Sequence, residues 1–316
     1  MFFRMNGELF KRLIALDHGA WVISYDEPGA PQYITAAFLE ACEKVEMPEG
    51  YRVAMEQAKH LTEAEMKRLA LIEPLLEDVR AGGGPLTLVD HGAGKSYLGF
   101  ILYDLYFKAL DQGRIFGIET RAPLVEASQK LATELGFDRM EFLNMTVAES
   151  TRADFMPSQF DVVTALHACD TATDDAIAFG LQKKARAMVL VPCCQAEMAA
   201  CLRQGKALQL ARTPLAELWR HPLHTRELGS QVTNVLRCLY LEASGYQVTV
   251  TELVGWEHSM KNELIVARYT GQKKRSAAER LRQLLAEFGI ASLQASRFPM
   301  LPVETKKDEL PTPADQ

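Results

Sequence analysis

Residues Leu88–Gly99 read LVDHGAGKSYLG and contain two glycines in a short turn. An apolar run ends at Val89, a turn with two glycines follows, and a helical pattern begins after Ser96. Glycine suits such a turn because the chain bends sharply and its backbone has to approach a bound molecule closely. A strand, a glycine turn and a helix in this order predict a ligand site at the turn.

Short apolar runs alternate with helical segments after this turn. The predicted strands are Leu86–Val89, Arg114–Ile118, Met140–Met145, Phe160–Leu166 and Ala187–Val191. The predicted helices are Ser96–Leu110, Ala122–Leu135, one through Ala176 and Phe179, and Ser230–Ala243. This alternation predicts an α/β fold in which helices cover both faces of a parallel sheet. Two later strands, Gln247–Leu253 and Glu263–Tyr269, predict an antiparallel hairpin at the edge of a seven-stranded, mainly parallel, Rossmann-like sheet.

Changes in pattern divide the chain into three regions. Residues 1–80 are predicted to form a helical N-terminal region that includes the predicted helix Leu61–Val79, and the breaker cluster Ala81–Pro85 ends it. Residues 81–270 form the predicted ligand-binding domain. Residues 271–316 comprise a charged helix over Arg275–Phe288 and a tail from Pro302 that is rich in proline and charge, which predicts disorder.

Composition excludes several classes of protein. Of 316 residues 48% are hydrophobic and 24% charged, which is typical of a globular protein. A net charge of −6 gives no general attraction to nucleic acid, although a local basic patch is compatible with it. The six cysteines form no CxxC pair, so neither a disulfide framework nor a zinc site is predicted. Without a signal peptide or an apolar run of membrane-spanning length, we expect a cytoplasmic protein.

Three kinds of ligand compete for the glycine turn. A phosphate-binding P-loop has a glycine five residues before its Gly-Lys-Ser, and Val89 occupies that position. A dinucleotide turn has its third glycine where this chain has Tyr97. Enzymes that use S-adenosylmethionine (SAM) place an acid directly before the turn, and Asp90 is such an acid. SAM is therefore the predicted cofactor, with Asp90 ordering the turn or meeting the methionine ammonium group.

The ends of the next two strands supply further cofactor contacts. Glu119 in Gly-Ile-Glu-Thr-Arg ends the second strand, where an acid accepts hydrogen bonds from ribose hydroxyls. The alternative for Glu119 is an ion pair with Arg121. After the third strand, Asn144 or Thr146 is placed to bond the adenine. The complete set of predicted cofactor residues is Asp90, Gly92, Gly94, Glu119, Thr120, Thr146 and Leu166.

The fourth strand runs into the segment Leu166–Asp175, LHACDTATDD. Ligands bind beyond the carboxyl ends of parallel strands, so these polar side chains are candidates for catalysis. His167 is the predicted general base, with Asp170 as its orienter or as an alternative base. The competing interpretation is that Asp170 caps the following helix and that the acids after it favour its first turn.

Five segments together resemble a bacterial family of class I SAM-dependent methyltransferases: DHGAGKSYLGF, GIETR, LHACDTATDDAI, VPCCQAE and HSMKNELI. The resemblance extends more distantly to eukaryotic methyltransferase-like proteins and to tRNA 2′-O-methyltransferases that modify the acceptor stem. It implies a Rossmann-like fold and SAM binding through Asp90, Gly92, Gly94 and Glu119. Ser96 stands where the usual turn has a third glycine.

The acceptor of the methyl group has several candidates. The resemblance favours RNA, possibly tRNA, and a small molecule is the alternative within the same chemistry. A domain that binds SAM or a partner without catalysis, and a nucleotide-dependent oxidoreductase, are the other classes. Cys193 and Cys194 leave covalent catalysis or metal binding open, although buried structural cysteines are common. The oligomeric state is not indicated by any pattern.

Overall fold

A computed structural model describes most of the region after residue 84. The described residues are Ile72, Leu75, Leu76, 85–108, 110, 112–166, 168, 170–192, 196–203, 213–252 and 263–301. Several predictions lie outside them: most of the helical N-terminal region, His167, Cys193, Cys194 and the tail from Pro302.

Seven strands form one sheet. They are β1 (Leu86–His91), β2 (Gly113–Glu119), β3 (Met140–Asn144), β4 (Val162–Ala165), β5 (Ala187–Leu190), β6 (Tyr246–Glu252) and β7 (Glu263–Tyr269), in the order β3-β2-β1-β4-β5-β7-β6. Strands β1 to β5 are parallel, and β7 runs antiparallel to both β5 and β6. The predicted α/β fold with an antiparallel edge hairpin is confirmed.

The helices cover both faces of this sheet. They are α1 (Tyr97–Leu102), which continues as a π-helical turn (Tyr103–Phe107), α2 (Ala122–Leu135), α3 (Val147–Arg152), α4 (Thr171–Gln182), α5 (Ala196–Arg203), a 3₁₀ helix (Pro214–Trp219), α6 (Pro222–Ala243), α7 (Arg275–Glu287) and α8 (Leu293–Arg297). The α6 helix begins at Pro222 rather than at the predicted Ser230. Proline is favourable there because the first helical N–H needs no partner within the helix.

The core is divided by the sheet into two hydrophobic layers. Adjacent β1 residues enter different layers: Leu88 packs with the residues of α1, and Val89 packs with those of α4 and α6. Ile72, Leu75 and Leu76 are helical, buried and part of the first of these layers, in agreement with the helix predicted over Leu61–Val79. Helix α7 contributes Ala277, Leu281 and Leu285 to the second layer.

A buried ion pair fixes α6 against the start of α4. Arg237 of α6 donates through Nε and Nη2 to the Asp174 carboxylate at 2.8 and 2.7 Å. Its Nη2 also donates to the Asp170 carbonyl oxygen, and its Nη1 to Asn234 Oδ1. Asn234 in turn donates to Glu263 at the start of β7. The segment after β4 is thus held by side chains from the C-terminal third of the chain.

Replacing Arg237 is expected to destabilise the protein strongly. Arg237→Met leaves the Asp174 carboxylate buried without its partner, which lowers the free energy of unfolding by about 3–5 kcal/mol. Urea denaturation followed by circular dichroism measures the change. Arg226→Met on the same helix removes an exposed pair with Glu227 and serves as the control, for which little change is expected. Equal losses in both variants would contradict this account.

Candidate functional site

A cavity lies at the carboxyl ends of the parallel strands. Strand β1 pairs with β2 on one side and β4 on the other, so the connections diverge there, and such a switch point is where open α/β sheets bind ligands. The cavity has a volume of about 380 Å³, within the range of small-molecule sites. Its walls are Gly92, Ile118, Glu119, Thr120, Arg121, Met145, Thr146, Val147, Ala168, Thr171, Ala172 and Asp175.

The glycine turn has the left-handed backbone that its sequence predicts. Gly92 has φ 70° and Gly94 φ 59°, values at which residues with a Cβ are strained. Ser96 stands where the related turns have a third glycine. Its φ of 54° is a left-handed value that glycine adopts readily, so this position has the same backbone conformation as a glycine would have. The N–H groups of Gly92 and Ala93 donate to the Ile118 carbonyl oxygen at 2.9 and 3.0 Å, which fixes the turn to β2.

Glu119 connects the turn to the end of β2. Its Oε2 accepts the Gly94 N–H at 2.9 Å, and its carboxylate accepts both Nε and Nη2 of Arg121 at 3.0 Å. Burial by itself raises the pKa of this carboxyl group. The hydrogen bonds from the Arg121 side chain and from the backbone of Arg121 and Gly94 outweigh burial and lower the pKa to about 2. Glu119 is therefore ionised at neutral pH, and the ion pair with Arg121 is present beside the cavity.

Asp90 stabilises the switch point from within the sheet. It is buried, and its Oδ1 accepts the Thr164 hydroxyl at 2.7 Å from the neighbouring strand β4. Asp90, Gly94 and Leu166 are not among the residues that line the cavity, whereas Gly92, Glu119, Thr120 and Thr146 are. The predicted cofactor set thus divides into cavity walls and residues that support the turn.

The end of β3 is held by its own polar residues. Asn144 donates through Nδ2 to the Glu119 carbonyl oxygen at 3.0 Å. Thr146 caps α3 in a capping box: its hydroxyl accepts the Glu149 N–H, while the Glu149 carboxylate accepts the Thr146 N–H. Both side chains predicted to meet adenine are thus engaged in local structure. Thr146, Met145 and Val147 still form one wall of the cavity.

Asp170 is placed differently from its predicted role. Its Oδ1 accepts the N–H groups of Ala196 and Glu197 at 3.0 and 3.4 Å, so it caps α5 and not the helix that follows it. It does not line the cavity, and its backbone (φ 53°, ψ −121°) is of the kind usually reserved for glycine. These contacts favour a structural role for Asp170. His167, its predicted partner, lies outside the described residues.

Three polar residues of the cavity wall, Arg121, Thr171 and Asp175, are not in the predicted set of cofactor contacts. Arg121 was considered only as a partner of Glu119. Thr171 and Asp175 were included only among the general polar candidates after the fourth strand and at the start of α4. They lie four residues apart and so share the helix face that meets the cavity. Burial raises the pKa of the Asp175 carboxyl group, with smaller influences from Arg297 and Asp174. The i, i+4 spacing was the signal that would have found this face.

The part of the chain that the structure describes has neither a metal-binding cluster nor a membrane-spanning helix. It contains no group of three histidine, cysteine, aspartate or glutamate side chains arranged to hold a metal ion. None of its helices combines the length and apolarity needed to cross a lipid bilayer. The residues that line the cavity offer a ligand carboxylates, one guanidinium, hydroxyls and apolar surface.

Comparison with known families decides the class of the domain. Residues 62–201 match the model of a family described as a methyltransferase domain. This range of the chain is thus similar to a methyltransferase domain. The predicted enzyme class is thereby confirmed. The matched range of the methyltransferase domain includes the glycine turn, Glu119 and the segment after β4, and it begins within the region predicted as N-terminal helices.

Individual relatives of this methyltransferase domain are distant. Two fly proteins, both named glutathione S-transferase C-terminal domain-containing protein homolog, are similar: the Drosophila melanogaster protein is 25% identical and the Drosophila pseudoobscura pseudoobscura protein 24%. Each alignment spans 213 residues and covers 58% of this chain but 33% of the fly protein. The chain thus spans about a third of the length of the curated relatives it matches.

Solved structures are similar at low identity. Fibrillarin pre-rRNA processing protein of Methanococcus jannaschii is 10% identical, with 60% of this chain and 68% of that chain covered and a TM-score of 0.39. M. capricolum TrmK in complex with S-adenosyl-homocysteine is 10% identical, with 61% and 66% covered and a TM-score of 0.38. At these TM-scores the similarity carries no argument. The assignment of a Rossmann-like fold is based on the strand order β3-β2-β1-β4-β5-β7-β6 of this chain.

A buried histidine lies directly before the glycine turn. His91 is fully buried, and its ring meets Phe179 edge to face with the centroids 4.6 Å apart. Its Nε2 lies 3.5 Å from the Ser150 hydroxyl. Burial lowers the pKa of His91 from 6.5 to about 3, so the ring is neutral in the folded protein at neutral pH.

The protein is expected to lose stability in acid through His91. The unfolded chain takes up a proton near pH 6.5 and the folded chain only near pH 3, so stability falls as the pH drops between these values. By pH 5 this group removes about 2 kcal/mol, at about 1.4 kcal/mol per pH unit. Urea denaturation of His91→Leu from pH 7 to 5 is expected to show a shallower decline than the wild type. The exposed His224→Leu keeps the wild-type decline, and an identical slope for His91→Leu would refute the assignment.

Proposed function

We propose that this methyltransferase domain uses SAM and holds it in the cavity at the ends of β1 to β4. The observation that carries the proposal is the Glu119 carboxylate, which is ionised, lines the cavity and is held by the N–H of the glycine turn. A carboxylate at the end of the second strand is the ribose acceptor of Rossmann-like folds. The size of the cavity supports a ligand of this kind.

The residues of the cavity fit the parts of SAM. Glu119 accepts the ribose hydroxyls, and the apolar surfaces of Met145, Val147 and Ala172 face the adenine. Asp90 keeps the turn in place through Thr164, so its contribution to SAM is the position of the turn. When bound, SAM supplies an electrophilic methyl group on a positively charged sulfur.

The charges of the cavity walls favour SAM over a dinucleotide. Glu119 and Asp175 are both carboxylates, and Arg121, the one guanidinium among the wall residues, is already paired with Glu119. A pyrophosphate requires donors and positive charge, whereas a sulfonium cation is favoured by nearby carboxylates. The oxidoreductase interpretation is thus the weaker one for this cavity.

We propose RNA, with tRNA as the first candidate, as the methyl acceptor. The support is the distant similarity of the five quoted segments, taken together, to tRNA 2′-O-methyltransferases; a small-molecule acceptor is the alternative. An amine or hydroxyl nucleophile sheds its proton during transfer, so a general base assists, and His167 is our candidate for it. Asp170 acts through the position of its loop, since its carboxylate is bonded to the start of α5.

Binding of SAM by titration calorimetry tests the cofactor assignment. Glu119→Gln is expected to weaken SAM binding about 10- to 100-fold, because the ribose loses a charged hydrogen-bond acceptor. Asp90→Asn is expected to weaken it less, since the asparagine still accepts a bond from Thr164. The control is Glu141→Gln on β3, a residue that pairs with Arg114 and does not line the cavity, and it is expected to bind SAM like the wild type. Unchanged affinity in both site variants would refute the assignment.

Transfer of a labelled methyl group tests the acceptor. Purified protein and methyl-labelled SAM are incubated with total RNA from cells that lack the protein, and separately with their small-molecule extract. We expect label in the RNA fraction with the wild type and much less with Glu119→Gln. Label only among small molecules would replace RNA by the alternative acceptor, and SAM binding without any transfer would support a non-catalytic domain.

A further inference from the structure

Arg121 is hydrogen-bonded to the two carboxylate oxygens of Glu119 that the proposed cofactor needs. It follows β2 and directly precedes α2, and its side chain is 65% exposed. The guanidinium nevertheless reaches back to Glu119 in a forked arrangement, with Nε at 3.0 Å from Oε1 and Nη2 at 3.0 Å from Oε2. Such a fork uses both oxygens of the carboxylate at once. The two oxygens available for ribose hydroxyls are therefore both engaged.

The carboxylate of Glu119 has no acceptor capacity to spare. It receives five hydrogen bonds from described groups: the N–H of Gly94, the Thr120 hydroxyl, and the backbone N–H, Nε and Nη2 of Arg121. A carboxylate offers about four lone-pair sites. A ribose hydroxyl can bond Glu119 only if one of these donors leaves. The backbone donors are fixed by the chain, and the guanidinium is on a long, exposed side chain that is free to turn away.

The guanidinium also lies against the glycine turn. A Cβ built on Gly94 would meet Arg121 Nη2 at 3.8 Å, which is ordinary contact distance. Arg121 is moreover one of the residues that line the cavity. It therefore takes up space beside the turn, where the backbone has to be approached closely by a ligand.

We propose that Arg121 sets the affinity of the site for its cofactor by competing with the ribose for Glu119. This inference rests on the proposed function, namely that Glu119 accepts the ribose of SAM. In the free protein Arg121 neutralises the buried carboxylate and keeps the turn and β2 together. On binding, the guanidinium moves into solvent and the ribose hydroxyls replace its two hydrogen bonds. The exchange lowers the affinity by the free energy of the ion pair.

The size of the effect follows from the exposure of Arg121. Ion pairs with a solvent-exposed partner contribute little to stability, so the competitor is displaced readily. Removing it is expected to tighten binding about two- to fivefold, the change that corresponds to such a pair. The opposite result, weaker binding, is what a direct contact between Arg121 and the cofactor would give.

S-adenosylhomocysteine is the probe that isolates this competition. It has the same ribose as SAM, but its sulfur is uncharged. Tighter binding after removal of the Arg121 guanidinium therefore cannot come from relief of repulsion between that guanidinium and a sulfonium. Titration calorimetry compares the wild type with Arg121→Ala. Arg114→Ala is the matched control, because Arg114 also pairs with a glutamate, Glu141, but lies outside the cavity lining.

A double-variant comparison distinguishes competition from other effects. We expect Arg121→Ala to bind S-adenosylhomocysteine about two- to fivefold more tightly, Arg114→Ala to bind like the wild type, and Arg121→Ala to have no effect in a Glu119→Gln background. Unchanged or weaker binding by Arg121→Ala, with Glu119→Gln still impaired, would overturn this inference alone. Absence of binding by the wild type would overturn the proposed cofactor and this inference with it.

Discussion

The hydrogen bond from the Gly94 N–H to the Glu119 carboxylate is the interaction on which the candidate site depends. It joins the turn after β1 to the end of β2, and the bonds of Gly92 and Ala93 to Ile118 reinforce the same junction. The donor belongs to a turn whose glycines have left-handed backbone conformations. The backbone of this turn therefore helps to fix the position of the Glu119 carboxylate, in addition to the rotamer of Glu119 itself. The lowered pKa of Glu119 is due first to the hydrogen bonds from the Arg121 side chain and then to the backbone N–H groups of Arg121 and Gly94.

Local patterns predicted the fold well because the parallel strands are buried on both faces and read as short apolar runs. Helix α2 has the predicted bounds Ala122–Leu135, and β7 has the predicted bounds Glu263–Tyr269. Helix α3 was missed although Thr146 and Glu149 form a capping box that is readable in the sequence. The predicted helix Ser96–Leu110 changes to a π-helical turn at Tyr103, for which no local signal was recognised.

The site was only partly predictable because several of its contacts join distant parts of the chain. Gly92 and Glu119 come from motifs, and both line the cavity. The partner of Asp170 is the N–H of Ala196, and no spacing rule connects these two residues, so the sequence suggested a cap for the neighbouring helix instead. Asp174 likewise suggested a favourable charge in the first turn of α4, whereas its partner is Arg237.

The contacts of Arg237 have a consequence for the order in which the domain is built during synthesis. The Asp170 carbonyl oxygen and the Asp174 side chain are held by a residue of α6, and through Asn234 by the start of β7. Strand β7 also inserts between β5 and β6, so β5 stays an open edge until residue 269 has been made. A nascent chain can therefore assemble the half of the site around Glu119 early, from β1 to β3. The half that follows β4 gains the support of Asn234 and Glu263 only after β7 has been made.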